Sequence, residues 1–372
     1  MKKPDVLAFA ERAEEHLLAL ACDLSLLCHR EVACDRGDPV FHCSGLPHSA
    51  KAGLAMTEKR NAYAHGQYTR FVVCDPKRRE IAKASVRDRV LHHAIHRVLA
   101  PLFDVSFIFD SYSSRAGKGT HTAGKRFRQF AWALSRNHTK TVWVLQLDVR
   151  RFFDSVDHEV LLGLLRKKIL NLETFVCHCE PEWRCNPGCT GRNIWITTSR
   201  RNAETRNDGK ENMESLLHLL EIIVRSFETA PGKGIPLGNL TSQLFSNVYL
   251  DPLDQFAKRI LRAEYYLRYA DDIAILSRDR AFLERCRDEI SGFLGRELGL
   301  ELHPKKVTLK RWHEGIDFLG YVHFPFHAIL RTKTKRRISA RLSPKNAASY
   351  FGVTRHVRAH GIERNMRDIL KP

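Results

Sequence analysis

Residues 265–277 read YYLRYADDIAILS. Two apolar runs, Tyr265–Tyr269 and Ile273–Ser277, flank Ala270-Asp271-Asp272, so two strands are expected with the acidic pair at a hairpin turn. Adjacent carboxylates repel, and at a partly buried turn they need a neutralising cation. The letters Tyr-Ala-Asp-Asp by themselves equally suit a solvent-exposed turn with no chemistry. A second acidic element bears on the choice. Residues 141–147 read TVWVLQL, a buried-strand pattern that runs into Asp148. Phosphoryl transfer by two divalent ions about 4 Å apart needs carboxylates converging from separate backbone segments. In such a set Asp148 and Asp271 bridge the ions and Asp272 completes it. Oxygen-only ligation favours Mg²⁺, with Mn²⁺ as a substitute.

Working outward, the 372 residues carry a formal charge of +19, with 43% hydrophobic and 28% charged residues. That is an ordinary globular composition with a strong basic surplus. The surplus suits a polyanionic partner, because Lys and Arg that neutralise phosphates release counterions; a solvated basic surface has the same composition. Residues 331–372 concentrate it, with twelve Lys or Arg against two acidic residues, as in a helical nucleic-acid-gripping module. The ten cysteines are scattered, which reads as reduced thiols or metal ligands rather than a disulfide framework. No secretory signal or membrane-length apolar run is evident, so a cytoplasmic protein with no membrane partner is expected.

Along the chain, an amphipathic helical pattern opens the first 50 residues, followed by a Cys- and His-bearing stretch from Cys22 to His48. A strand is expected from about Phe71, then a helix over Ser85–Leu102. Residues 107–121, FIFDSYSSRAGKGTH, look like a loop at a working surface. A helix should begin near Asp157 and another cover about Ala281–Leu298. Residues 171–212 are polar and lack periodic apolar positions, so they are expected to be irregular.

Five segments in order now resemble the reverse transcriptase family, from about residue 70 to the end. LDVRRFFDSVDH (147–158) resembles its first palm motif, GIPLGNLTSQ (234–243) the second and YADD (269–272) the third; LHPKKVTL (302–309) and FLGY (318–321) resemble the two that follow. The resemblance implies an α+β right-hand polymerase, with fingers, a palm built on an antiparallel sheet and a helical thumb. It implies metal ligation by Asp148, the residue Val149, Asp271 and Asp272. Phe153 occupies the position that rejects a 2′-hydroxyl, although an FF pair alone reads as core. Phe318, Leu319, Gly320 and Tyr321 would grip the primer, and Lys305 or Lys306 would meet a phosphate or act as general acid. Arg79, Arg87 and Arg89 match basic fingers positions that meet the triphosphate or support its pocket; each also reads as a surface or structural cation.

The second motif separates lineages. Most reverse transcriptases have Gln-Gly and then Ser-Pro there, whereas this chain has Leu237-Gly238 and then Ser242-Gln243. That pattern resembles the enzymes of diversity-generating retroelements, as do FDSYSSRAGKGTH and GNLTSQLFSNVYLDPLD. The family copies a template-repeat RNA into cDNA from a primer and dNTPs, misincorporating opposite adenine. It works with a small, basic, pentameric accessory protein that binds the same RNA. Leu237 in place of Gln removes amide hydrogen bonds, and a less constraining pocket discriminates less between pairs. The alternative is a bacterial reverse transcriptase of ordinary fidelity, of retron, intron or phage-defence type.

Cys177, Cys179, Cys185 and Cys189 fall in the irregular stretch, where four thiolates can hold a structural Zn²⁺ or mark a metal-free insertion. Cys34, His42, Cys43 and His48 form a weaker second set. The expected domains are an N-terminal extension (1–50), fingers (51–140), a palm (141–325, with the Cys-containing insertion at about 171–212) and a basic helical thumb (326–372). Helices are expected against one face of the palm sheet. No RNase H or endonuclease domain is expected in these residues.

Overall fold

The computed structural model describes residues 63–74, 78–175, 202–343, 346–354 and 357. Both cysteine-containing sets proposed as zinc ligands lie outside them. By internal contacts the chain divides into two compact units: residues up to Arg97 together with Leu161–Thr241, and Val98–Val160 together with residues from Ser242 onward.

The first unit holds a two-stranded antiparallel ribbon, β1 (Thr69–Val73) and β2 (Arg79–Lys83), in the register Thr69↔Lys83 to Val73↔Arg79. Helix α1 (Val86–Asp104) follows β2 after two residues. Its start is fixed by Ser85, whose hydroxyl accepts from the Asp88 amide and donates to the Asp88 carboxylate. This is a reciprocal cap of the kind that satisfies orphan amides at a helix N-terminus.

The second unit is built on four antiparallel strands in the order β4-β5-β3-β6. These are β3 (Trp143–Asp148), β4 (Tyr265–Tyr269), β5 (Asp272–Ser277) and β6 (Thr308–Arg311). Val144, Ala274, Leu276 and Leu267 turn to one side, where helix α2 (Thr120–Leu134) covers them with Ala123, Phe127, Phe130 and Ala131. Leu145, Leu147, Ile273 and Ile275 alternate to the other side and are equally buried. Helix α7 (Arg280–Leu298) packs against β3 and β5, presenting Leu283, Cys286, Ile290, Leu294 and Leu298 as one stripe. Asp279 caps its first turn, and Gly299, at φ +60°, ends it. The sheet is therefore covered on both faces, not on one as expected. The continuous apolar runs VWVL and IAIL, rather than alternating ones, are the physical reason: a central strand buried on both sides has no polar face.

Between these elements come α3 (Phe152–Ser155), α4 (His158–Phe175), α5 (Asn202–Arg225) and α6 (Leu240–Gln255). The backbone is helical at residues 171–175 and 202–212, which the sequence reading left irregular. Helix extension costs little once a turn exists, and Ala203, Glu204, Lys210, Glu211 and Met213 are good helix formers without any apolar stripe. A second, three-stranded sheet of β7 (Ile316–Phe318), β8 (Tyr321–His323) and β9 (Ala328–Leu330) leads into α8 (Thr332–Arg341) and α9 (Ala347–Thr354). No helix among the described residues is long and apolar enough to cross a membrane.

Candidate active site

Strands β4 and β5 pair as Tyr269↔Asp272, which gives the hairpin that the sequence predicts, but with a two-residue loop of Ala270 and Asp271 and with Asp272 already in β5. Ala270 takes φ +52°, a conformation that glycine normally fills in such turns and that costs a residue with a Cβ about 1–2 kcal/mol. The next ladder sets the chemistry. Asp148 at the end of β3 stands directly opposite Asp272 at the start of β5. Two strand ends and a turn thus deliver three carboxylates to one end of the sheet.

Asp148 is buried. Asp272 is pushed up to about 7, first by burial, then by the neighbouring charges of Asp271 and Asp148 and a hydrogen bond to Asp148, with Lys306 pulling it back down. Lys306 approaches because the chain from Glu301 to His303 runs beside β3. Arg150 N–H donates to Glu301 O, Val149 bridges Leu302, and His303 N–H donates to Asp148 O at 2.7 Å. A turn then forms in which the Lys306 amide donates to His303 O, before β6 rejoins β3 at Gln146↔Thr308. The bulged-out turn carries Lys306 Nζ to 2.7 Å from Asp148 Oδ2.

Among the described residues, no three His, Cys, Asp or Glu side chains already converge on one ion. Mg²⁺, however, is commonly held by one or two carboxylates plus substrate phosphates rather than by an all-protein cage. The donor chemistry fits it: oxygen donors only, with surplus negative charge that one lysine does not cancel. Asp148, Asp271 and Asp272 would hold such an ion.

Phe152 and Phe153 divide their roles. Phe152 lies in the core beside Tyr249, whereas Phe153 is only half-buried and meets Phe152 edge-on at 5.4 Å. Phe153 is therefore the ring of the pair that retains an accessible surface. The FLGY segment is a tight hairpin, with Phe318 paired to Tyr321 and both Leu319 (φ +52°) and Gly320 (φ +89°) left-handed. That is the two-residue turn matching the twist of flanking strands. Gln146 of β3 ties it to the main sheet by donating to Asp317 O at 2.9 Å. Gln243 is exposed on the first turn of α6.

Arg79, Arg87, Leu237 and Gly238 belong to the first unit. There Leu237 O accepts from the Ala82 amide at 3.0 Å, so the second-motif loop lies along β2, the strand that Arg79 begins. Gly238 has φ +117°, and a Cβ there would lie 2.7 Å from Ile81 Cγ2. Arg79 is exposed; Arg87 stacks over the Tyr63 ring at 5.2 Å.

Sequence reasoning missed Arg268, which is fully buried beneath the acidic turn. Its guanidinium forks onto Asp254 at 2.8 and 2.7 Å and donates to Ala270 O at 3.0 Å, to Asn247 and to Ser111. The signal available was one arginine inside an otherwise apolar strand.

A sheet whose adjacent strand ends carry opposed aspartates, covered by helices and followed by a small hairpin sheet, defines the palm of a right-hand polymerase. Residues 200–323 match the family model described as "Reverse transcriptase (RNA-dependent DNA polymerase)". Within that match lie the second motif, the YADD turn and the FLGY hairpin. The chain is similar to Protein YkfC of Escherichia coli K12, 22% identical over 70% of this chain and 65% of that protein. It is also similar to Nuclear intron maturase 1, mitochondrial, of Arabidopsis thaliana, 22% identical over 63% of this chain and 40% of that protein. The chain thus spans less than two thirds of the length of these relatives. Apo telomerase from Candida tropicalis shares the fold, with TM-score 0.50 and 11% identity over 78% of this chain and 53% of that one.

Proposed function

We propose that this chain extends a primer on an RNA template, polymerising dNTPs by two-metal-ion nucleotidyl transfer at Asp148, Asp271 and Asp272. The observation that carries this reading is the opposed pair Asp148 and Asp272 with Asp271 beside it in the turn. Mg²⁺, when bound, supplies Lewis acidity at the attacking 3′-hydroxyl and at the leaving oxygen. The three carboxylates fix where that charge sits. Lys306 shifts from Asp148 to the triphosphate, where an ammonium offsets charge on the departing pyrophosphate. The accessible ring of Phe153 rejects a 2′-hydroxyl by shape, and the rigid 318–321 hairpin holds the primer end. Val149 offers its backbone carbonyl as a further ligand.

Within that class the reading is a diversity-generating enzyme that makes adenine-directed errors on a template-repeat RNA, with a small basic pentameric accessory protein as partner. Its support is Leu237-Gly238 followed by Ser242-Gln243, which places an aliphatic side chain where an amide would hydrogen-bond. The named similarity to an intron maturase favours a second reading, an enzyme of ordinary fidelity. Primer extension on adenine-rich RNA with Mg²⁺ and dNTPs, with and without the accessory protein, decides between them by sequencing the cDNA. Errors concentrated at template adenines, and reduced in Leu237→Gln, support the first reading. Accurate cDNA selects the second, and absence of product under every condition overturns polymerase activity itself.

A further inference from the structure

A cavity of about 40 Å³ lies between the first two turns of α2 and strand β8. Thr120, Gly124, Lys125 and Arg128 line it from the helix, and Tyr321 and His323 from the strand. Three independent features of its wall ask for the same occupant. Helix α2 starts at Gly119 with no side-chain cap and no acidic residue in its first turn, so within the helix nothing answers its leading amides or the positive end of its dipole. His323 is 4% exposed, and among the described residues its ring nitrogens meet only the Phe318 backbone, which leaves at least one of them without a hydrogen-bond partner. The buried Nε of Arg128 likewise has no hydrogen-bond partner among the described residues. Leaving such donors unsatisfied costs about 1–3 kcal/mol each.

Gly124 allows the imidazole to lie against the helix, since a Cβ there would already sit 3.4 Å from His323 Cε1. Among the described residues no carboxylate lines the cavity, and Lys125 and Arg128 give it net positive charge. Water would satisfy the hydrogen bonds, but it would leave that charge and the helix dipole unanswered. We infer that this pocket binds a phosphoryl group, whose oxygens accept from Arg128, His323 and the α2 amides while Lys125 closes the open side. Burial and the Arg128 charge hold His323 down to about 4, so it serves as a neutral N–H donor and not as a cation. The phosphoryl group has two possible sources, a nucleic-acid backbone or a free inorganic anion.

The test needs no catalysis, so its outcome is separate from the polymerase reading. The full chain, ¹⁵N-labelled at histidine and free of divalent ions and dNTPs, is titrated at constant ionic strength with inorganic phosphate. A parallel titration uses a single-stranded oligonucleotide without terminal phosphates. The imidazole signals of His323 are assigned through His323→Gln. Saturable shifts are expected, with Kd raised at least fivefold in Lys125→Ala, whose exposed side chain is dispensable for folding. Shifts with both ligands assign a backbone phosphate, and shifts with inorganic phosphate alone assign a small anion. His323 signals indifferent to both ligands, or shifts unchanged by Lys125→Ala, overturn the inference and leave a water-filled cavity.

Discussion

Asp148 and Asp272 are direct cross-strand partners at the end of the β3–β5 ladder, with Asp271 one residue away in the turn. Like charges so opposed destabilise a sheet, and this one keeps them at its most constrained point. Burial and those two neighbours raise Asp272 from 3.8 to about 7. The sign follows from linkage: the unfolded chain releases this proton first, so the contribution to stability is full below pH about 4 and is lost as pH rises towards 7. In EDTA, Asp272→Asn is expected to remove this slope and stabilise the protein by on the order of 2 kcal/mol at pH 8, while abolishing polymerisation. Mg²⁺ should stabilise the wild type at pH 8 far more than the variant. Thermal melts across pH 4–8 with and without Mg²⁺ check this; parallel slopes in the two proteins would refute it.

Lys306 occupies the Asp148 carboxylate at 2.7 Å, but its side chain is 48% exposed, so the pair is worth under about 1 kcal/mol. Lys306→Met should leave melting nearly unchanged. The same substitution should lower the Mg²⁺ concentration for half-maximal activity roughly threefold, because a competing cation has gone, and raise KM for dNTP. The measurement is a Mg²⁺ and dNTP matrix of initial rates. A variant that needs more Mg²⁺ than wild type would show that Lys306 does not compete at Asp148.

Gly238 is tested by its neighbour. In Gly238→Ala the new methyl would meet Ile81 Cγ2 at 2.7 Å, and φ +117° would be strained for any residue with a Cβ. A cost of about 2–3 kcal/mol is expected, with the loop lifted from β2 and its bond from the Ala82 amide to Leu237 O broken. Adding Ile81→Ala removes the clash and leaves the backbone strain, so recovery should be partial. Full recovery, read from denaturant midpoints, would mean that sterics alone fix the glycine.

What the sequence showed and hid follows from range of interaction. The hairpin turn, the limits of β4 and α7, and the strand ending at Asp148 were legible because periodicity, caps and turn length are local. The FF pair was ambiguous, since only the packing of Phe152 on Tyr249 separates a core ring from an accessible one. The second covered face of the sheet was missed although VWVL and IAIL announce it. Lys306 reaches Asp148 through a bulge between sequence positions 158 apart, which no spacing rule anticipates. The 148↔272 register is likewise non-local, and so is Arg268, whose guanidinium bonds four residues from three segments.

Arg268 carries the last prediction, since it separates stability from positioning. Its charge is wholly buried with Asp254, and the same guanidinium holds the Ala270 carbonyl just before Asp271. Arg268→Met strands the Asp254 carboxylate, on which the Tyr266 hydroxyl also relies, and should cost about 3–5 kcal/mol. Pairing it with Asp254→Leu removes both charges, and an apolar pair of similar volume is often neutral or stabilising, so most of that loss should return. Activity should not return with it. Without the bond to Ala270 O the turn is no longer fixed, and a displacement of about 1 Å at Asp271 lowers the rate roughly 100-fold. Melting and single-turnover rates on the double variant decide the matter. A double variant that is both stable and fully active would reduce Arg268 to a packing residue, and the turn would then be held by the β4–β5 ladder alone.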